Sequence, residues 1–413
     1  MRFAPPVVAS PTFLNFPMRS ILPLGALFLI FQSIASGQQP LTRQQAIESA
    51  LTRAPRAAVA RADTLVGAAQ VLSARQRDNP SLSLAYSKST PNYHETVDLP
   101  LDVSGARGAR ISSAQAARLA SQYRFRFERA AAVLDADTAY TRALAAREHV
   151  RLARTNAIAA DSLRRMSIVR RDAGDASELD VLLATVNAGQ AANQSAADSL
   201  TFASTLFDLQ AAMGLDTGVI AVTPVDSLTL PPGTIDSASP ERSLPVAAAE
   251  QSLAAADLSV RAEKRAIFSP FSLMGGVEHG DDSQPGLLPT FGVSIPIPLL
   301  NRNRGAIALA EAERERARAE LALARIETRN AVARAVRSRN LALEKVRRDR
   351  VLVESASRIV SMSLTAYREG AQGLPAVLEA QRNARDVLSQ YIDDVAEAWI
   401  AGAVVRLYEL TPS

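Results

Sequence analysis

The side chains able to carry chemistry are few and widely spaced. Histidine occurs only at His94, His149 and His279. A helical metal site needs two histidines one turn apart, and nucleophilic catalysis needs a histidine set between a nucleophile and a carboxylate. Neither arrangement can be assembled, so the three read as ordinary polar-face residues, two on strand-like segments and one on a helix. His279 lies near Asp281 and Asp282, where a loop could touch a cation, but one such contact makes no site. The chain has no cysteine, which excludes disulfides, thiolate ligands, a cysteine nucleophile and a lipid-bearing N-terminal cysteine. Nor is there a glycine loop of the phosphate-binding kind. The sequence predicts no catalytic residue, no metal and no cofactor: not an enzyme.

The remaining chemical feature is a cationic run, Arg325, Arg329, Arg334, Arg337, Arg339, Lys345, Arg347, Arg348 and Arg350. A nucleic-acid reader gathers such residues on one stripe, whereas these surround a helix as a solvated surface does. Nucleic acid is not an expected partner.

The elements behind these residues follow from composition. Of 413 residues 47% are hydrophobic, chiefly because alanine is abundant, and only 5% are aromatic. Chains rich in Ala, Leu, Glu and Arg form long helices packed side by side rather than compact mixed domains. The net charge of +4 is small for such a length, too small for a strong basic field.

Near the N-terminus Arg19 precedes the apolar run Ile21 to Phe31, followed by Ala35-Ser36-Gly37 and then polar Gln38-Gln39. A positive start, a short apolar core and a small-residue exit predict a signal peptide over 1–37, with Met18 as a possible true start. The run falls short of the ~20 residues a membrane-spanning helix needs. The mature chain is therefore expected to be exported.

That mature chain is written twice. Pro100 and Pro296, Ile111 and Ile307, Gly174 and Gly370, and Leu182 and Leu378 are each 196 residues apart, the mark of a duplication. The repeats span 38–216 and 245–410, joined by a connector over 217–244 that is rich in proline and reads as irregular. Each repeat reads as helix, strand, strand, very long helix, helix. The first helices are predicted over 42–77 and 245–267, and the long ones over 109–171 and 305–368. About 60 helical residues make roughly 90 Å. Each long helix ends at a glycine turn and folds back into a second helix, over 177–213 or 375–410.

Four segments, near 81–88, 93–103, 270–279 and 289–297, alternate at period two. Leu82, Leu84 and Tyr86 interleave with Ser81, Ser83 and Ala85; Phe291, Val293 and Ile295 interleave with Thr290, Gly292 and Ser294. About ten residues with one apolar and one small or polar face is the pattern of a transmembrane β-strand. Open edges are not tolerated in lipid and the smallest barrels need about eight strands. Four strands must therefore be completed by other copies, and three copies would give twelve strands with an open bore.

The repeat, the paired strands and the segment Tyr367-Arg368-Glu369-Gly370, with Val377-Leu378-Glu379-Ala380-Gln381-Arg382 beyond it, resemble the TolC family of outer-membrane efflux proteins, and within it the cation-efflux, CzcC-like branch. The resemblance covers residues 41–410. It implies a mainly α fold with a membrane β-barrel portion: a homotrimer with a 12-stranded barrel in the outer membrane, in contact with its lipid, and an α-helical barrel in the periplasm. It implies as partners a periplasmic adaptor and an inner-membrane efflux pump. The hairpin tips, Ala173, Gly174 and Asp175 in the first repeat and Glu369, Gly370 and Ala371 in the second, would be gripped by the adaptor. Glu379 matches an acidic position at the periplasmic entrance; Ala376 stands where a second acid is common, and Asp180 is its counterpart in the first repeat. The competing reading is a periplasmic coiled-coil scaffold or adaptor with soluble β segments, against which the duplicated strand pairs argue.

Overall fold

The computed structural model describes residues 39–411 apart from 217, 221, 232–239, 269–270 and 296. The signal peptide expected over 1–37, and part of the connector, lie outside the described residues. In chain order come β1 (Gln39–Leu41), α1 (Arg43–Arg53), α2 (Pro55–Arg75), β2 (Ser81–Tyr86), β3 (Tyr93–Leu101), α3 (Ala106–Asp172), α4 (Glu178–Ala212), β4 (Val222–Pro224), α5 (Leu244–Arg265), β5 (Phe271–His279), β6 (Leu288–Ser294), α6 (Arg304–Arg368) and α7 (Leu374–Glu409).

The helix expected over 42–77 is two helices. Pro55 has no amide to donate and holds the residue before it extended, so Ala54 takes ψ 124° and Pro55 opens α2. Thr42 starts α1 through a reciprocal pair of bonds with Gln45. No proline interrupts α3, of 67 residues, or α6, of 65, and their glycines, Gly108 and Gly305, lie in the first turn; each helix runs about 100 Å. Most side chains that α3 buries are alanine, which lets neighbouring helices approach closely. Along its length α3 packs on α2, α4, α5 and α7, while α6 packs on α5 and α7.

Both long helices end at a left-handed glycine, Gly174 at φ 84° and Gly370 at φ 77°. A Cβ at Gly174 would meet nothing within 4 Å, so backbone angle and not space demands glycine there. Bonds from Asp175 N to Arg170 O and from Ala371 N to Ala366 O close the two ends.

One sheet holds four strands in the order β2–β3–β5–β6, every pair antiparallel. β2 stops at Tyr86 because Ser87 N donates to Asn92 O to make the turn. β3 stops at Leu101 because Asp102 instead accepts from Arg107 N, at the entry to α3. The connector is less irregular than its prolines suggest. Its β4 pairs in parallel with β1, Leu41 opposite Pro224, and Asp226 accepts from Arg43 N at 2.8 Å and from the Tyr140 hydroxyl at 2.7 Å. Arg147 donates to Pro224 O and Asp226 O, and the Trp399 indole donates to Thr229 O. This belt binds the start of the described chain to the middle of α3 and to α7. Tyr140, Leu144, Leu206 and Leu209 form the core beneath it.

Candidate functional site

Register decides which face of the sheet each side chain joins. Leu82 lies opposite Val97, Val97 opposite Gly275, and Gly275 opposite Phe291. Leu99, Leu273 and Val293 share the next rung of that face. Phe291, 85% exposed, lies over Gly275 with its ring 4.0 Å from where a Cβ would stand, covering the backbone that glycine leaves bare. Ser83, Thr96, Gly276 and Thr290 form the central rung of the opposite face. One face is thus mainly apolar and solvent-accessible, with Glu95 and His279 only near its turn end, and the other carries mostly small or polar groups.

Two of the three histidines stand at the turn end of this sheet, on opposite faces. His279 stacks on Tyr93 with ring centroids 4.8 Å apart and lies 3.7 Å from Glu95. Tyr93 in turn meets Tyr86 at 5.3 Å, an aromatic cluster of the kind that marks a membrane boundary. His94 faces the other way and lies 3.2 Å from Glu278. His149 bridges α3 to Asp393 of α7 at 2.8 Å. His94 and His279 are thus neighbours on opposite faces of the sheet, and His149 lies apart from both on the helices.

The two hairpin tips lie together at the far end of the helices. Arg170 donates from Nη1 to Tyr367 O at 2.6 Å, and its guanidinium lies 4.7 Å from the Tyr367 ring centre. Leu163, Ala184, Leu374 and Val377 pack with Tyr367 behind this bracket. Burial pushes the Tyr367 phenol upward, an effect that Arg170 opposes and Asp180 reinforces. Ala173, Gly174, Asp175, Glu369, Gly370 and Ala371 are all exposed at the surface of the two turns.

The two entrance acids differ in what holds them. Asp180 accepts from Ser177 N at 3.1 Å and from Ser177 Oγ at 2.9 Å while Ser177 Oγ takes its amide, a box that starts α4. Glu379 points away from the buried stripe of Leu374, Val377, Ala380 and Ala384 and is 60% exposed, with Arg382 at 3.7 Å. Sequence reasoning missed the Arg170–Tyr367 bracket, the belt, and a carboxyl pair halfway along α6 and α7. There Asp394, 3% exposed, accepts from Lys345 at 3.3 Å and Gln390 at 3.0 Å. Burial, and then Asp394, hold the neighbouring Asp349 above the usual aspartate range.

A four-stranded sheet with one lipid-compatible face, continued by two paired helical hairpins about 100 Å long, defines a subunit of a barrel-and-tunnel channel. The outer membrane efflux protein family model matches residues 46–215 and 237–411, and the chain belongs to that family. Solved structures share the fold. A membrane protein from Pseudomonas aeruginosa is 22% identical with a TM-score of 0.77, over 89% of this chain and 93% of that one. The outer membrane channel CmeC of Campylobacter jejuni is 16% identical with a TM-score of 0.74, over 96% and 94%. The outer membrane protein VceC of Vibrio cholerae is 16% identical with a TM-score of 0.72, over 89% and 96%. No curated protein matches the sequence. The protein is an outer-membrane efflux channel of the TolC type, with its helices in the periplasm. Its family is one of transport proteins that work as parts of tripartite pumps; a free scaffold or adaptor is not favoured.

Proposed function

We propose that three copies close one barrel by joining β6 of each to β2 of the next, forming a passive conduit for what an inner-membrane pump and a periplasmic adaptor deliver. The strand order carries this reading. β2 and β6 are the two unpaired edges and run in opposite directions, so a β6–β2 junction between copies continues the antiparallel pattern without a break. Such an interface is head-to-tail and closes by rotation, which removes every edge from lipid. In the same reading the repeats 38–216 and 245–410 are equivalent staves of the tunnel, and 217–244 is the belt that binds them midway. The tips at Ala173 to Asp175 and Glu369 to Ala371 are the surface an adaptor grips. Glu379 belongs to the periplasmic entrance, where three copies would favour cations by Coulomb attraction. Asp180 stands nearby but is committed to capping α4.

The absence of cysteine makes the test clean. Single cysteines are placed along β2 and along β6 and paired in successive registers, since a disulfide needs Cα atoms within about 7 Å. At least one register should give a covalent ladder that ends at three chains. A ladder that never passes one chain in mild detergent, in every register, would overturn the shared barrel.

A further inference from the structure

The corner where the sheet passes into the helices holds a cleft of about 450 Å³ between the end of β3, the residues after α2 and the start of α3. Its walls are of two kinds. Leu99, Leu101 and Val103 bring the apolar face of the sheet to it, and Arg77, Arg107 and Arg110 bring charge. Arg107 is held there by the backbone carbonyl of Arg75 at 2.6 Å, and one further guanidinium reaches the same corner, Arg265 donating to Gly105 O at 3.4 Å. Four arginines therefore stand against Asp78 and Asp102. Among the described residues none of Arg77, Arg107 and Arg110 makes a salt bridge within 4.0 Å, although Arg110 acts on Asp102 by Coulomb attraction; Arg314, Arg316 and Arg318 on α6 each pair with a glutamate.

A second observation fixes the level of this corner. The second repeat makes the same passage through Ile295, Ile297, Leu299 and Leu300, all exposed and the last wholly so, and then directly through Arg302 and Arg304, also exposed. In both repeats an apolar step meets a cationic one at the strand-to-helix junction. For a barrel whose turns face outward, that junction lies at the periplasmic leaflet, where acyl chains give way to headgroups.

We infer that this cleft is a binding site for an anionic phospholipid of the periplasmic leaflet. The phosphate lies among Arg77, Arg107 and Arg110, and the first part of an acyl chain lies on Leu99, Leu101 and Val103. Guanidinium groups suit the phosphate because they donate in a planar fork and stay charged. A soluble phosphate would gain the charge but leave the apolar wall bare; a zwitterionic lipid would cover the wall but bring its own cation to the arginines. The site joins each subunit to its membrane at one place per chain, three per trimer. This inference rests on the barrel reading above.

The test is native mass spectrometry of the detergent-solubilised trimer with equal amounts of phosphatidylglycerol and phosphatidylcholine. The trimer should retain up to three phosphatidylglycerol molecules with at least fivefold preference. Arg77→Gln with Arg110→Gln should bring the preference close to one, and Arg316→Gln on the exposed face of α6 should leave it unchanged. Inorganic phosphate at tens of millimolar should not displace the lipid; full displacement would mean an oxyanion site without a lipid and would overturn the inference. A wild-type trimer that keeps both lipids alike would also overturn it, even if the double variant fails to assemble. Failure to form any trimer would instead count against the barrel.

Discussion

Placing an arginine at the middle of the apolar face is the sharpest test of how this sheet meets lipid. The β3–β5 ladder has nine rungs, from Leu101 opposite Phe271 to Tyr93 opposite His279, and Val97 opposite Gly275 is the fifth. Eight steps of about 3.3 Å span roughly 26 Å along the strand, or about 20 Å of height at a tilt near 40°. Val97 therefore sits at mid-height, with Leu82 beside it and glycine on its other flank. An arginine there cannot reach either headgroup layer without bending the strand. Val97→Arg should cost about 2–4 kcal/mol per chain, a factor of roughly 30 to 900 in folding equilibrium, and the cost recurs in each of three subunits. Ser83→Arg stands almost at the same depth but faces the lumen across from Thr96, where it meets water and should cost about 0.5 kcal/mol or less. Val293→Arg, two rungs nearer the helices, should fall between the two. The assay is urea-driven refolding into lipid vesicles, read by protease resistance and by yield of detergent-stable trimer. Equal losses from Val97→Arg and Ser83→Arg would mean that the sheet does not present this face to lipid.

Other expectations concern the belt, the tips and the carboxyl pair. Tyr140→Phe removes the donor that serves Leu41 O and Asp226 inside the belt and should cost about 1–3 kcal/mol; unchanged thermal unfolding would deny the belt a stabilising role. Glu379→Arg should reduce conductance and cation preference in planar bilayers, most at low salt where screening is weak, and unaltered selectivity with normal trimer yield would remove Glu379 from the entrance. Gly370→Val forces a β-branched residue into φ 77° and should impair transport by the whole pump while barrel assembly stays normal. The Asp349 carboxyl is held above its ordinary value of 3.8 by burial and by Asp394, so protonation stabilises the fold and that stability is lost as pH rises through the raised value. Asp349→Asn should therefore melt higher than wild type at pH 7, with the gap closing as pH falls below the usual aspartate range; a gap independent of pH would refute the assignment.

The sequence makes some of this visible and hides the rest for physical reasons. Alternation at period two places Leu82, Val97, Leu273 and Val293 on one face because side-chain direction in a strand follows from position alone. The 196-residue repeat and the glycines at 174 and 370 reveal the hairpins, since only a left-handed residue ends a helix in that way. The break at Pro55 was missed, since the helical composition on both sides of it reads as one continuous helix over 42–77, although a proline cannot sit inside a helix without losing a bond. By contrast, no local pattern pairs Arg170 with Tyr367, 197 residues on, or Asp226 with Tyr140 and Arg43. Such contacts depend on how the hairpins lie against one another. Asp349 and Asp394 are separated by a whole hairpin, so each alone reads as a surface acid.

The pairing of β3 with β5 has a further consequence for the order in which the molecule is made. Tyr93 meets His279 and Leu101 meets Phe271, so this central ladder joins residues on either side of α3, α4 and the belt. Helical hairpins form from local contacts and form early, whereas a ladder that closes so long a loop forms late. As the chain emerges, β2 and β3 make only a two-stranded ribbon, marginal by itself. The full apolar face exists only once β5 and β6 have arrived, after α3 and α4 of the first repeat and before α6 and α7 of the second. The covalent order of the elements thus delays the most aggregation-prone surface until the first helical hairpin is present, a timing device written into the strand order rather than into any single residue.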